Sequence, residues 1–152
     1  MKPLPHRYDV QLAGGPAGYA DVSASGLPSL RIAPPPAYDG PGDAWSPEHL
    51  LLAAVEACFL LTFRAVARAS KREFLALDVT AEGIVDRRDG VTRFTEITIR
   101  PTLRVPAGTD HVRAQTLLEK AEKGCLVSAS LSAAIHLAPA VLVDTPTSAP
   151  AA

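Results

Sequence analysis

The alternation of hydrophobic and polar positions marks out most of the secondary structure. Tyr8, Val10 and Leu12 alternate with Asp9 and Gln11, the period of a half-buried strand. Gly14-Gly15-Pro16 makes a turn, and residues 19–25 and 30–33 supply two more short strands on either side of Gly26-Leu27-Pro28. Pro34-Pro35-Pro36 then excludes a helix and predicts a stiff, extended connection. Ser46-Pro47-Glu48 is a helix start: Ser46 can cap, Pro47 fits the first helical position, and Glu48 faces the positive end of the dipole. The helix is predicted to run to about residue 69. Its polar positions His49, Glu56, Arg64 and Arg68 fall on one narrow stripe, and the rest of its surface is apolar or small. Such a helix is expected to be buried on several sides, central to the fold or to a dimer.

The second half reads as a long hairpin over residues 77–86 and 91–105, turned at Asp89-Gly90. On its second arm Ile97, Ile99 and Leu103 alternate with Glu96, Thr98, Arg100 and Arg104, so one face is wet and one buried. Pro101 suggests an edge position or a bulge. Thr109 or Asp110 caps a second helix carrying Val112, Leu117, Leu118 and Ala121, and Gly124 ends it. A short helix over 127–135 and a last strand over 136–143 complete the order βββ-α-ββ-α-α-β, an α+β fold. One domain is expected over residues 1–143, with a frayed Pro/Ser/Thr/Ala-rich tail over 144–152.

Composition narrows the function. With 15 basic and 16 acidic residues, net charge is −1, so a broad electrostatic grip on nucleic acid is not expected. The most apolar run, residues 50–63, is interrupted by Glu56 and is shorter than the ~20 residues of a membrane span, so a buried core helix is expected and no membrane partner. The N-terminus lacks the apolar stretch of a signal peptide, and a cytoplasmic location is expected. Only two cysteines occur, Cys58 and Cys125, which excludes a disulfide scaffold and a four-cysteine metal site. The four histidines show no metal-ligand spacing with each other or with the cysteines, and no metal or cofactor is expected.

Chemistry therefore rests on the two thiols. Cys58 sits in an apolar stretch of the long helix, which raises a thiol pKa unless donors come from elsewhere. Cys125 follows a helix-ending glycine and precedes another helix, where free amides favour the thiolate; by local rules Cys125 is the more reactive. Either could equally be a small hydrophobe filling a gap. Glu48 lies ten residues before Cys58, about 15 Å along a straight helix, and a helix-start charge alone would explain its presence. Ser128, Ser130 and Ser132 lack a base nearby in sequence and read as small helix-lining residues.

Two segments, Ser46-Pro47-Glu48-His49-Leu50-Leu51-Leu52-Ala53-Ala54-Val55-Glu56-Ala57-Cys58-Phe59 and Glu119-Lys120-Ala121-Glu122-Lys123-Gly124-Cys125-Leu126-Val127-Ser128, resemble the two cysteine segments of the OsmC/Ohr family. The resemblance implies an OsmC-like α+β fold: β-meander and hairpin sheets around a long central helix, in an intertwined homodimer. It implies a thiol-dependent peroxidase of organic hydroperoxides, with Cys58 as attacking thiol, Cys125 as resolving thiol and Glu48 as active-site glutamate. An external thiol would be the reductant, and the role would be oxidative-stress defence. The peroxidase branch also carries an arginine in the early meander, and the corresponding stretch Gly14-Gly15-Pro16-Ala17-Gly18-Tyr19-Ala20 has none. That departure leaves an alternative, a non-catalytic protein on the same scaffold that binds a small apolar ligand at the dimer interface.

Overall fold

The computed structural model describes residues 3–145, which fall into two compact units that part between Leu51 and Leu52. In the first unit, β1 (Gln11–Gly14), β2 (Ala20–Ser23) and β3 (Leu30–Ile32) form an antiparallel meander. The first strand starts later than its alternation suggests. Tyr8 and Val10 are exposed, and pairing begins only where Gln11 meets Ser23 and Gly14 meets Ala20. The triple proline leads into a single turn of 3-10 helix, Pro36–Tyr38, after which the chain returns to β3 through a bridge between Ile32 and Trp45.

Helix α1 (Pro47–Ala69) opens as its sequence predicts. Ser46 Oγ, fully buried, accepts from the His49 backbone N–H at 3.3 Å, and the Ser46 backbone N–H donates back to His49 Nδ1 at 3.4 Å. This is a reciprocal cap with histidine where glutamate is usual. The helix is a continuous 23 residues, long and apolar enough to cross a membrane by length and composition alone.

The second unit is built on β4 (Ala76–Arg88) and β5 (Val91–Val105), paired antiparallel through a turn in which Asp89 and Gly90 both have positive φ, at 52° and 80°. Only a hairpin turn of that hand follows the twist of the strands, which is why Asp-Gly sits there. Along β5 the positions 97, 99, 101, 103 and 105 are buried, a strict period of two. They meet a stripe on α1, Val55, Phe59, Phe63 and Ala67, and the inner face of α2 (His111–Lys123), Ala114, Leu118 and Ala121. Asp110, not Thr109, caps α2, accepting from the Arg113 N–H at 3.0 Å. Gly83 on β4 leaves room for Phe94: a Cβ there would lie 2.5 Å from the Phe94 ring.

Four expectations change. First, within the single chain α1 buries one stripe rather than several sides; Leu61 on the other side is 59% exposed. Second, Pro101 lies on an interior strand and faces the core, and the irregularity of the hairpin falls at Ile84/Val85 instead. The missing Pro101 N–H is tolerated because, on the edge of β5 opposite β4, residue 101 has no ladder partner among the described residues: β6 (Ala134–Leu137) pairs with residues 96–99 and β7 (Ala140–Val143) with 102–105. Third, the helix expected over 127–135 is a four-residue turn, α3 (Leu126–Ala129). Ser130 Oγ donates to the Leu126 carbonyl at 2.7 Å, and side-chain bonding of this kind competes with helix propagation. Residues 134–137 gain more by pairing with β5. Fourth, the strand expected over 136–143 is two short strands split at Ala138-Pro139. Of the tail, Asp144 is held by its N–H to the Val105 carbonyl at 3.0 Å and by an ion pair with Arg104 at 3.2 Å. Residues 146–152 lie outside the described residues.

Candidate active site

Two elements of the second unit bring the cysteines together. Cys58 stands on α1, half-buried, on the turn that carries Phe59 into the core. Cys125 is fully buried at the junction of α2 and α3. The approach of α2 to α1 depends on Gly124. A Cβ on Gly124 would lie 3.2 Å from Thr62 Cγ2 and 3.3 Å from the Lys120 carbonyl oxygen. Thr62 is one turn along from Cys58, so the glycine lets the end of α2 rest against α1 immediately beside the thiol. Cys125, the next residue, is thereby near enough to Cys58 for each thiol to alter the other's acidity.

The electrostatics run opposite to the local sequence rules. Burial pushes the Cys58 thiol up, but the Cys125 thiol, the backbone N–H of Val127, Thr62 and the backbone N–H of Leu126 together hold it below the usual thiol range. Thr62 Oγ1 is 4.0 Å from Cys58 Sγ. Burial likewise raises the Cys125 thiol, and there it prevails: Ser128 favours the thiolate, but the neighbouring Cys58 sulfur opposes it. The free amides at the start of α3 thus serve Cys58, across the helix junction, as well as the cysteine that precedes them. Reasoning from sequence had assigned them to Cys125. The result is a polarised pair, with Cys125 as protonated donor and Cys58 as the more acidic thiol.

Thr62, Ser128 and the amides of Leu126 and Val127 are members of this site that the sequence reading missed. The signal for the side chains is spacing alone, Thr62 four residues after Cys58 on one helix face and Ser128 three after Cys125. Exchange of Thr62 for valine removes one donor and keeps the shape. Reaction of Cys58 with iodoacetamide at pH 7 is expected to slow about threefold. The alkylation profile is expected to rise with pH, as thiolate forms, around a midpoint below that of free cysteine in the wild type and higher in the variant.

Glu48 belongs to the first unit. Its carboxylate helps line an apolar cavity of about 410 Å³ with Ile32, Ala33, Pro34, Pro35 and Tyr38. One of its oxygens, Oε2, is buried with no hydrogen-bond partner among the described residues. Cys58, ten residues on in the sequence, belongs to the second unit. Arg31, the nearest meander cation in sequence to the missing arginine's stretch apart from Arg7, lies over the Tyr19 ring at 5.0 Å. Among the described residues no group of three or more His, Cys, Asp or Glu side chains could hold a metal ion.

Comparison with known proteins identifies the fold. The profile of the OsmC-like protein family matches residues 40–139. The chain is 33% identical over 130 residues to the uncharacterized protein YmaD of Bacillus subtilis, covering 82% of this chain and 87% of that one. It is 32% identical over 92 residues to the peroxiredoxin OsmC of Escherichia coli K12, covering 60% and 64%. Among solved structures, an OsmC-like protein of unknown function from Vibrio cholerae superposes with a TM-score of 0.81 at 15% identity, over 89% of this chain and 99% of that one. An organic hydroperoxide resistance protein OsmC from Legionella pneumophila gives 0.73 at 24%, over 93% and 100%. The polarised thiol pair is therefore carried on the α+β fold shared by these structures, and the chain belongs to the OsmC-like protein family.

Proposed function

We propose that this protein is a thiol peroxidase that reduces organic hydroperoxides. The observation that carries the reading is the juxtaposition of the two thiols where Gly124 rests against Thr62, each thiol altering the other's acidity. The Cys58 thiolate attacks the peroxide O–O bond; one oxygen stays on sulfur as a sulfenic acid, and the alkoxide leaves and takes a proton to become the alcohol. The Cys125 thiolate then attacks the Cys58 sulfur, hydroxide departs with a proton as water, and a Cys58–Cys125 disulfide remains. Two electrons from an external thiol reductant reopen it. Donors from α3, Thr62 and Cys125 stand in for a guanidinium here, which answers the absence of an early arginine. Glu48 is assigned as the active-site glutamate on resemblance, acting beside a partner subunit's thiol.

The exposed apolar side chains Leu61 and Leu126 support an apolar peroxide and a homodimer built on the open face of α1. A cytoplasmic location, where thiols stay reduced between turnovers, fits the same chemistry. The cavity beneath Glu48 favours a second reading, the binding of a small apolar ligand. Native mass spectrometry showing co-purified ligand, together with no peroxide turnover, would establish it.

The test is stopped-flow mixing of the reduced protein with cumene hydroperoxide. One equivalent consumed per chain, with loss of both free thiols, is expected; no consumption overturns the proposal. In Cys125→Ser the first equivalent is still expected to react, but the sulfenic acid persists and is trapped by dimedone at Cys58, and turnover with dithiothreitol falls at least about tenfold.

A further inference from the structure

Ser128 has no place in the scheme above, yet it is buried, 5% exposed, with its hydroxyl donating to Cys125 Sγ at 3.2 Å. A buried hydroxyl facing a sulfur is a specific arrangement, because sulfur is a weak acceptor when protonated and a strong one as thiolate. The donor therefore contributes most in any step that leaves negative charge on Cys125. Cys125 is fully buried, whereas Cys58 is part-exposed. Thiol–disulfide exchange depends on which sulfur is reachable and on how well the other bears charge as it departs.

We propose that Ser128 makes Cys125 the departing sulfur when the disulfide is reduced, so that an external thiol opens the bridge at Cys58. This inference rests on the two cysteines forming a disulfide, as in the function above. The thiolate of the reductant bonds to Cys58 Sγ, the S–S bond breaks, and its electron pair goes to Cys125 Sγ. There the Ser128 hydroxyl holds the new charge until a proton arrives from solvent. The second thiol of a dithiol reductant, as thiolate, then attacks the mixed disulfide, releasing Cys58 as thiolate and the reductant as its own cyclic disulfide. Ser128 thus touches a reacting atom and belongs to the catalytic group. Its action is confined to the half of the cycle in which Cys125 carries charge. The same hydroxyl also assists the Cys125 thiolate in the resolving attack, so both steps through Cys125 should depend on it.

The test separates this step from peroxide chemistry. The disulfide is formed with diamide, which needs no peroxidase activity, and peptide mapping confirms the Cys58–Cys125 bridge. Brief exposure to the monothiol cysteamine, acid quench and mass spectrometry then locate the mixed disulfide. The adduct is expected on Cys58, with Cys125 free, in at least tenfold excess; an adduct mainly on Cys125 overturns the inference. In Ser128→Ala, reduction of the diamide-formed disulfide by dithiothreitol at pH 7 is expected to slow about tenfold, and alkylation of the freed Cys125 to shift to higher pH. Ser128→Thr, which keeps the hydroxyl, is expected to recover most of the rate. Equal rates in wild type and Ser128→Ala, or no recovery in Ser128→Thr, overturn the inference. Failure to consume cumene hydroperoxide would instead defeat the proposed function and leave these exchange measurements standing.

Discussion

Replacement of Cys58 by serine is expected to abolish hydroperoxide turnover, with a loss of about a thousandfold or more in the rate of cumene hydroperoxide consumption. A serine hydroxyl in the same position is not ionised near neutral pH and cannot accept oxygen to form a sulfenic acid. None of the donors at Thr62, Leu126 and Val127 can compensate, because they act on a charge that serine does not carry. The expected result is sharper than for Cys125, whose loss blocks resolution but leaves the first oxygen transfer. If Cys58→Ser and wild type consumed the peroxide equally fast, the thiol would be a bystander and the peroxidase proposal would fail. A fold check by circular dichroism is sufficient control, since the exchange changes volume little at a half-buried position.

The second large effect concerns stability. Phe59 is the immediate neighbour of Cys58 but points the other way, fully buried in the cluster with Val55, Phe63, Ile97, Ile99 and Leu118. Its truncation to alanine removes buried ring atoms and leaves a cavity that the stiff strand and helix around it can only partly close. A loss of about 3–5 kcal/mol is expected, large against the roughly 5–15 kcal/mol that holds a domain folded. Urea denaturation measures it. A loss below about 1 kcal/mol would mean that the stripe on α1 is not the keystone of this core. Because residue 59 adjoins the thiol, the same variant is expected to lose Cys58 selectivity in alkylation as α1 loosens.

Much of the fold was legible because its signals are local. The Ser46-Pro47 cap, the Asp89-Gly90 turn, the period of two along β5 and the glycine that ends α2 each act over a few residues. The failures lie where distant pairing decides. Nothing local in residues 130–135 says that the helix expected there stops short and that residues 134 and 135 join a parallel ladder with β5. Pro101 suggests an edge by rule, and only the gap between β6 and β7 explains why it can sit inside a sheet.

The site shows the same division. Both cysteines could be picked out, but their ranking could not, because the donors that acidify Cys58 come from residues 125–127, far along the chain. A local reading sees those amides only from the side of Cys125. Ser128 looked like one small helix residue among several, and its role as donor becomes visible only once Cys125 is known to be buried beside it.

The closeness of the two sulfurs also bears on survival at high peroxide. A sulfenic acid faces a race between capture by a second thiol and a further, irreversible oxidation to sulfinic acid. In many dithiol systems the resolving thiol must travel, and the race is lost while it does. Here Cys125 is already close enough to Cys58 to alter its acidity, with the bare backbone of Gly124 resting against Thr62 beside it. On the proposed peroxidase chemistry, the missing methyl group of one glycine would be a source of oxidative endurance, setting how much peroxide the protein could meet before over-oxidation of Cys58.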